Sequence, residues 1–363
     1  MWYKNSDIPK YPQIKLENLH GYVLPHAGTA HSGSIIGKTL RFRPTKKFKK
    51  VIIMYLPSED KYMNDIDYHE YYVPYMSFKY IFSEYKNIKF IPFNVLRKNY
   101  KFLKENFNLD DTIVILSADF SHFLPLQEAY KLENLAAHAI ENRYIPETNN
   151  LPKYIRIIDD IRTFRLLFRL LPPNYYFQWV GRTRSEGEKG VGYLSFIIRK
   201  ETIFNNLSIL PDGIFITCYD KNMIARECLG NWFNTKNQYN SKKENNLLYD
   251  VIDKSKKISR LTGGKDKQIP LHSCIITYLF LDNKLNFIRG WHGIQYGAFY
   301  LSDVMLENTF DDGKWIKKLN KVWQRNNKFN MEETLQQLCI KAGKSNINSN
   351  VMLYSSCKKV IIL

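Results

Sequence analysis

Three short apolar runs constrain the fold of this chain more than any other feature of its sequence. They cover residues 21–25, 51–56 and 112–116, and the second and third are rich in β-branched residues. Runs of this length are typical of strands buried on both faces, as in a parallel sheet covered by helices. Residues 70–85, between the second and third runs, are compatible with a helix. The sequence therefore predicts an α/β fold built around a parallel sheet.

Polar side chains follow each of these runs. His26 comes directly after the first run, Glu59 follows the second, and Asp119 and His122 follow the third. Ligands of open α/β sheets bind beyond the carboxyl ends of the strands. We therefore expect these four side chains to lie at one edge of the sheet.

The first of these loops, residues 25–33, carries two of the eight histidines, His26 and His31. Gly28 and Gly33 are predicted to let the loop bend tightly, because glycine adopts backbone angles that other residues avoid. The loop is therefore predicted to form the wall of a ligand pocket.

Further elements are predicted from periodicity and from glycine and proline positions. In the first half these are helices over 126–144 and 155–171, a polar loop over 179–192 and a strand over 193–198. In the second half they are a strand over 213–219, a polar mobile stretch over 234–246, a hairpin of 272–282 with 285–291, and helices over 313–324 and 331–341.

The length of 363 residues favours two domains, here residues 1–200 and 201–363, with a boundary near 199–208. The net charge is +18, and residues 38–50 hold seven basic side chains and no acidic one. Such a run would suit nucleic acid, because clustered lysines release counterions from phosphates. No zinc-finger, RNP or KH pattern accompanies it, so a solvated basic surface is the preferred interpretation.

Five cysteines, an odd number without a C-x-x-C pair, argue against a disulfide framework and a zinc ribbon. They favour a reducing, cytoplasmic location. The first residues contain no apolar segment of a secretory signal, and the apolar stretches are too short to span a membrane.

The N-terminal half resembles the Memo family over roughly residues 20–198. That family carries a histidine–alanine–glycine loop, a proline–serine–histidine loop, a glutamate-x-x-leucine-proline helix start and a serine–aspartate-x-x-histidine loop. Their counterparts here are His26-Ala27-Gly28, Pro57-Ser58-Glu59, Glu70-Tyr71-Tyr72-Val73-Pro74 and Ser117-Ala118-Asp119-Phe120-Ser121-His122. The resemblance implies the fold of class III extradiol dioxygenases, which bind non-haem iron with two histidines and a carboxylate.

This resemblance implies a metal pocket at His26 and at the position of Glu59. Imidazole and carboxylate ligands suit iron(II), and copper is a second expectation. The sequence departs from the family pattern at three positions: Glu59 replaces a histidine, the third ligand aligns near Thr183, and the histidine before the helix aligns near Asp67. The site is thus either rearranged, with His31 as a further ligand-binding residue, or degenerate.

Asp119 and His122 are candidates for an acid–base pair, because a carboxylate raises the pKa of an adjacent imidazole and orients it. The alternative is that Asp119 caps the following helix, a frequent role of aspartate.

The second half resembles the AMMECR-type domain over roughly residues 209–363. Its opening strand, its leucine-arginine-glycine-cysteine-isoleucine-glycine signature and its histidine-glycine-isoleucine step correspond to Gly213-Ile214-Phe215, Ala225-Arg226-Glu227-Cys228-Leu229-Gly230 and His292-Gly293-Ile294. The resemblance implies a second α/β domain. Arg226, Cys228 and His292 are its candidate ligand-binding residues.

Cys228 with His292 would form a nucleophile and its base, since a thiol needs a nearby base to ionise. Buried cysteine is more often a small apolar filler. Glu227 replaces the signature's first glycine, and it would obstruct a ligand that approaches the backbone there.

These observations predict a Memo-like/AMMECR-like fusion that acts as a scaffold for a small molecule or peptide, with a degenerate metal site. The alternative is an active oxidoreductase that depends on non-haem iron or copper. A nucleic-acid-binding protein that uses residues 38–50 is the third hypothesis.

Overall fold

The computed structural model describes residues 2–58, 64–187, 189–201, 210–233, 239–257, 270–282, 286–309, 331–343 and 350–363. The chain divides into two compact units, Met1–Lys200 and Glu201–Leu363. Each unit combines helices with a six-stranded sheet, so the predicted α/β class is confirmed at this level. In the part of the chain that the structure describes, no helix has the length and apolar character needed to cross a membrane.

The N-terminal unit contains eight described strands and six described α-helices. The strands are β1 (Ile14–Leu16), β2 (Leu19–Leu24), β3 (Phe42–Pro44), β4 (Lys50–Tyr55), β5 (Lys89–Asn94), β6 (Thr112–Ser117), β7 (Tyr175–Arg184) and β8 (Gly192–Lys200). The helices are α1 (Thr29–Leu40), α2 (His69–Ile81), α3 (Tyr100–Asn106), α4 (Leu126–Glu141), α5 (Lys153–Arg156) and α6 (Ile161–Leu170).

The main sheet of this unit has the strand order β5-β4-β6-β2-β8-β7. The first four strands are parallel, as predicted, whereas β8 and β7 are antiparallel to their neighbours. The apolar runs in β4 and β6 are fully buried because helices cover the sheet; α2, for example, packs on both strands. β1 and β3 form a separate parallel pair.

Two predictions for the end of this unit are wrong. Residues 179–184 of the predicted polar loop belong to β7, in which every side chain is buried. The predicted helix over 155–171 is interrupted between α5 and α6. Asp160 caps α6 by accepting a hydrogen bond from the backbone N–H of Thr163 at 3.2 Å, which begins a new helix there.

The predicted loop over residues 25–33 is shorter than expected, because α1 begins at Thr29. His31 is therefore an exposed helical residue. Gly33 is helical too, and its role is close packing: a Cβ at this position would lie 2.3 Å from the carbonyl oxygen of Asp7. The absence of a side chain lets the N-terminal segment lie directly on α1.

The C-terminal unit is built on an antiparallel sheet of order β10-β9-β11-β14-β12-β13. Its strands are β9 (Gly213–Asp220), β10 (Ala225–Trp232), β11 (Leu271–Leu281), β12 (Gly293–Tyr296), β13 (Ala298–Tyr300) and β14 (Met352–Ile362). Its described helices are α7 (Ser241–Lys257), α8 (Ser302–Glu307) and α9 (Met331–Lys341).

Several predictions for this unit need correction. The expected hairpin does not form in the described residues, because β11 pairs with β9 and β14 while residues 286–292 are not a strand. Residues 241–246 of the predicted mobile stretch begin α7, which buries Leu247 and Val251 against the sheet. The predicted helix over 313–324 and the boundary residues 202–208 lie outside the described residues.

One disulfide joins Cys218 of β9 to Cys274 of β11. The two residues face each other directly in the strand register, and both are fully buried. They are 56 residues apart in sequence, so no local spacing indicates the pairing. The expectation of no disulfide framework therefore fails at this one bond, which lies inside the sheet.

We expect Gly33→Ala to destabilise the N-terminal unit by about 1–3 kcal/mol, because the new methyl group would overlap the backbone of Asp7. At Gly28 a Cβ would meet its nearest atom at 3.5 Å, an ordinary contact, so Gly28→Ala is the matched control. Urea unfolding followed by tryptophan fluorescence measures both variants. Equal stability of the two would contradict this account of α1.

Candidate metal centre

The carboxyl ends of β2 and β6 lie side by side, because the two strands are parallel neighbours. His26 follows β2 and Asp119 follows β6, and both are buried. The backbone N–H of His26 donates to Oδ1 of Asp119 at 2.9 Å. This bond joins the loops that follow the two strands.

The imidazole of His26 is held in a defined orientation. Its Nδ1 lies 3.0 Å from Oγ of Ser117. Its Nε2 lies 3.3 Å from Oδ2 of Asp159 and 3.8 Å from Oδ2 of Asp119. A histidine that ligates a metal through one nitrogen is commonly oriented by a hydrogen bond at the other. Nε2 is thus the nitrogen that faces the carboxylates.

Asp159 comes from the connection between α5 and α6, and two hydrogen bonds fasten it to the loop after β6. The backbone N–H of Asp119 donates to Oδ1 of Asp159 at 3.0 Å, and the N–H of Asp159 donates to the carbonyl of Asp119 at 3.3 Å. Asp119 does not cap the following helix: Pro125 is the N-cap residue of α4, without a side-chain cap. The capping interpretation is therefore wrong.

A second histidine and carboxylate lie at the start of α2. Nδ1 of His69 is 3.4 Å from Oε2 of Glu70, and Glu70 is buried. Oε1 of Glu70 accepts the backbone N–H of Ser58, which follows β4, at 2.8 Å. The rings of His26 and His69 are nearly perpendicular, with their centroids 5.2 Å apart. β4 and α2 therefore bring two more polar groups to the same edge of the sheet.

The pKa values in this cluster reflect an excess of buried carboxylates. Burial alone would lower the pKa of His26, but Asp119, Asp159 and Glu70 overcome this effect and raise it to about 10. Burial raises the pKa of Asp119, which the charge of His26 partly offsets. Burial lowers the pKa of His69. Burial also raises the pKa of Asp160 to about 7. Without a metal ion, a proton on His26 compensates part of the negative charge.

Two sets of side chains in the described residues could hold a metal ion, and both contain His26. One set adds His69 and Glu70, and the other adds Asp119 and Asp159. In each set the ligand atoms lie within 4.8 Å of one another. Two histidines and one carboxylate with open coordination positions are typical of non-haem iron(II) sites. Of the two predicted ligands, His26 belongs to both sets, whereas Glu59 lies outside the described residues.

The charge of His122 acts on Asp119, its predicted partner, and tends to lower the pKa of that carboxyl group, which burial raises. No hydrogen bond joins these two described side chains, and His122 is exposed. It lines a cleft of about 340 Å³ onto which Asp159 also opens. His31 on α1 belongs to neither candidate ligand set. Thr183 is a buried residue of β7, and Asp67 closes a capping box with Asn64, so neither aligned position supplies a ligand to these sets.

A buried ion-pair network holds the loop that carries His122. Glu133 of α4 pairs with Arg182 at 2.7 Å and with Arg184 at 3.7 Å, and all three side chains are buried. Arg184 donates to the hydroxyl of Ser121 at 3.2 Å and to the carbonyl of Leu124 at 2.6 Å. The arginines of the predicted polar loop therefore act inside the protein, where they position the residues between Ser121 and Leu124.

The candidate residues of the C-terminal unit have separate partners. Arg226 pairs with Asp220 at 3.9 Å. Cys228 accepts a hydrogen bond from the hydroxyl of Thr217 at 3.3 Å, and burial raises the pKa of its thiol. His292 is fully buried; its Nδ1 accepts the N–H of Ile288, and its Nε2 lies 3.4 Å from Asp282. Among the described residues, no histidine forms a hydrogen bond with the thiol of Cys228, so the predicted pair with His292 does not form.

Glu227 is also buried, and its carboxylate accepts the backbone N–H of Cys228 at 3.1 Å. The side chain of Glu227 therefore turns toward the backbone of its own strand, β10.

The basic run over residues 38–50 is only partly available to a ligand. Arg43 is buried and donates to the carbonyl of Ile81. Lys46 donates to Nδ1 of His20 at 2.8 Å and to the carbonyls of Leu109 and Thr112. Burial lowers the pKa of Lys46 to about 8. These two side chains support the fold, whereas Lys47 and Lys49 are exposed.

His69 and Asp159 are cluster residues that the sequence did not indicate, and Glu70 was indicated only as part of a helix start. The histidine expected before the helix aligns near Asp67, and His69 directly precedes Glu70. That adjacency was the available signal. Asp159 follows no apolar run, and its place depends on the connection between α5 and α6.

No protein-family model matches this chain, and no match was found among curated proteins. The resemblances to the Memo family and to the AMMECR-type domain therefore stay predictions.

The stability of the metal-free protein is expected to depend on His26 and on pH. The pKa of His26 is raised from 6.5 to about 10 on folding, so its contribution is complete below about pH 6.5 and is lost as the pH rises through about 10. The difference in unfolding free energy between the wild type and His26→Gln should therefore shrink from pH 6 to pH 10. Urea unfolding in the presence of a chelator measures it, and a pH-independent difference would contradict the assignment.

Lys46→Ala should destabilise the protein by about 2 kcal/mol, because it removes charge-assisted hydrogen bonds to buried acceptors. Lys47→Ala, at an exposed neighbour, should change stability little. Thermal unfolding compares the two, and binding of a labelled oligonucleotide at rising salt is measured in parallel. A steep salt dependence that both substitutions weaken would support the nucleic-acid hypothesis instead.

Proposed function

We propose that the N-terminal unit binds one divalent transition-metal ion through His26, His69 and Glu70 and functions as a metal-dependent oxidoreductase. The convergence of two imidazoles and a buried carboxylate at the carboxyl edge of the sheet supports this proposal. This proposal corresponds to the alternative that the sequence left open, an active oxidoreductase that depends on non-haem iron or copper. The predicted scaffold with a degenerate site assumed that the partners of His26 were lost, whereas His69 and Glu70 come from another position in the chain.

The residues present fit a metal ion in two respects. Oε2 of Glu70 is buried and has no hydrogen-bond partner, and it lies within ion-pair distance of His69. An unsatisfied buried carboxylate oxygen is costly unless a cation or a donor compensates it. Nε2 of His26 is directed at carboxylates while Nδ1 contacts Ser117. The first feature belongs to the set of His26, His69 and Glu70, and the second to the set of His26, Asp119 and Asp159, which shares the His26 ligand.

The donor set suits iron(II), with copper(II) as a second option for nitrogen and oxygen ligands. Such an ion supplies a Lewis-acidic centre with coordination positions open to substrate and oxidant. The carboxylate of Asp119 positions His26 by accepting a hydrogen bond from the backbone N–H of His26. The carboxylate of Asp159, whose side chain is 26% exposed, opens onto the cleft that His122 lines, so these two groups can exchange protons with a bound molecule.

We expect the chelator-stripped protein to bind one iron(II) or copper(II) ion per chain under anaerobic conditions. His26→Ala, His69→Ala and Glu70→Gln should each weaken binding at least about 100-fold, because each removes a direct ligand. Binding should also release protons, since the metal displaces the proton on His26. Isothermal titration calorimetry in two buffers of different ionisation enthalpy measures affinity and proton release.

The matched control is His31→Ala, which removes an exposed histidine outside both ligand sets. It should bind the metal like the wild type. Asp159→Asn distinguishes the two sets, since it abolishes binding only if His26, Asp119 and Asp159 are the ligands. Absence of stoichiometric metal, or its retention by both histidine variants, would support the scaffold hypothesis and overturn this proposal.

A further inference from the structure

The cleft beside Asp159 lies between two segments that the cluster itself fastens together. One wall is the loop after β6, with Phe120, His122 and Leu124, and the other includes Lys153 and Arg156 of α5. The volume of about 340 Å³ lies in the range of small-molecule sites. The hydrogen bonds between Asp119 and Asp159 hold the two walls at a defined separation.

The charges on the rim of this cleft are unevenly compensated. Lys153 forms an ion pair with Glu128. Arg156 is exposed, and no described side chain forms an ion pair or hydrogen bond with its guanidinium. A guanidinium binds carboxylate or phosphate through two parallel hydrogen bonds. Arg156 is therefore a cation on the cleft wall that the fold does not use.

The wall formed by the loop after β6 carries the apolar residue Leu124 beside His122, and its backbone is strained at Phe123. Phe123, between two cleft-lining residues, has φ = 56°, a left-handed conformation that is unfavourable for a bulky side chain. The backbone N–H of Phe123 donates to the carbonyl of Gly190, and His122 forms an isolated antiparallel β-bridge with Val191. Phe123 is 69% exposed, and its ring centroid lies 6.2 Å from that of His122. The strained backbone thus holds the ring of Phe123 beside His122, which lines the cleft.

We infer that this cleft binds a small molecule that carries an oxyanion, a carboxylate or a phosphate, on an apolar body. Arg156 binds the oxyanion, and Leu124 and Ile157, which are both partly exposed, contact the apolar body. In treating this molecule as a substrate, the inference rests on the proposed metal centre beside Asp159. Binding in the cleft is nevertheless measurable without a metal, so the two proposals fail independently.

The test uses benzoate, phenyl phosphate and the neutral benzamide as probes, titrated into the full chain by calorimetry. Benzoate or phenyl phosphate should bind at least about tenfold more tightly than benzamide, and the tighter of the two identifies the oxyanion. Arg156→Gln should remove this preference, because it leaves no unpaired cation on the wall. Arg156→Lys should restore part of it, since lysine keeps the charge without the planar fork.

Arg162→Gln is the matched control, because Arg162 is an exposed arginine of α6 outside the cleft lining. It should bind all three probes like the wild type. Phe123→Ala should weaken benzoate more than acetate, which lacks a ring. Equal binding of benzoate and benzamide, or equal effects of Arg156→Gln and Arg162→Gln, would overturn the inference.

The metal titration of the same variants separates this inference from the proposed function. Arg156→Gln should bind the metal like the wild type. Anion preference in a protein that binds no metal supports the cleft and overturns the metal centre. Stoichiometric metal binding without any anion preference supports the metal centre and overturns the cleft.

Discussion

The hydrogen bond from the backbone of His26 to the carboxylate of Asp119 is the interaction on which the candidate site depends. It joins the ends of two parallel neighbouring strands, β2 and β6, and it is buried. A buried carboxylate is stable only where hydrogen bonds and charges compensate its lost hydration. Asp119 meets this requirement with His26, and its own backbone N–H holds Asp159. One residue thus fixes the positions of a histidine and of a second acid.

The cluster holds more negative than positive charge. Asp119 and Asp159 form one candidate ligand set with His26, and Glu70 and His69 form the other. The raised pKa of His26 is the response of the metal-free protein to this imbalance. A divalent cation would compensate the same charge without the proton. This excess of negative charge supports the proposal that a metal ion binds here.

A second set of buried charges shapes the surroundings of the site. The charges of Glu133, Arg182 and Arg184 lose their hydration on burial, which costs free energy. Such groups are tolerated only when they are paired, as they are here. Here the pairing links α4, β7 and the loop after β6, so the wall of the cleft is anchored from inside. The strained backbone at Phe123 is held at the end of this anchored loop. Arg156, which has no partner among the described side chains, adds a cation to the opposite wall of this cleft.

Much of the N-terminal fold was predictable, because continuous apolar runs can be buried on both faces only as inner strands. β2, β4 and β6, and the places of His26 and Asp119 at their ends, follow from this rule. The helix over residues 331–341 also agrees with prediction. The C-terminal part of β7 was not predicted as a strand, because its arginines are typical of an exposed loop. They are buried only because Glu133, which is distant in sequence, pairs with them. The antiparallel pairing of β11 was missed because its partners are distant in sequence.

The sequence by itself determined which residues end the inner strands, because hydrophobic patterning is local and sets strand position and direction. Only the tertiary structure decided which side chains meet His26. His69 and Asp159 reach it from the start of α2 and from the connection between α5 and α6, elements that contact the strand ends only after the sheet has formed. The disulfide between Cys218 and Cys274 depends on strand pairing for the same reason. Contacts between distant segments are set by packing, which no local pattern in a single sequence records.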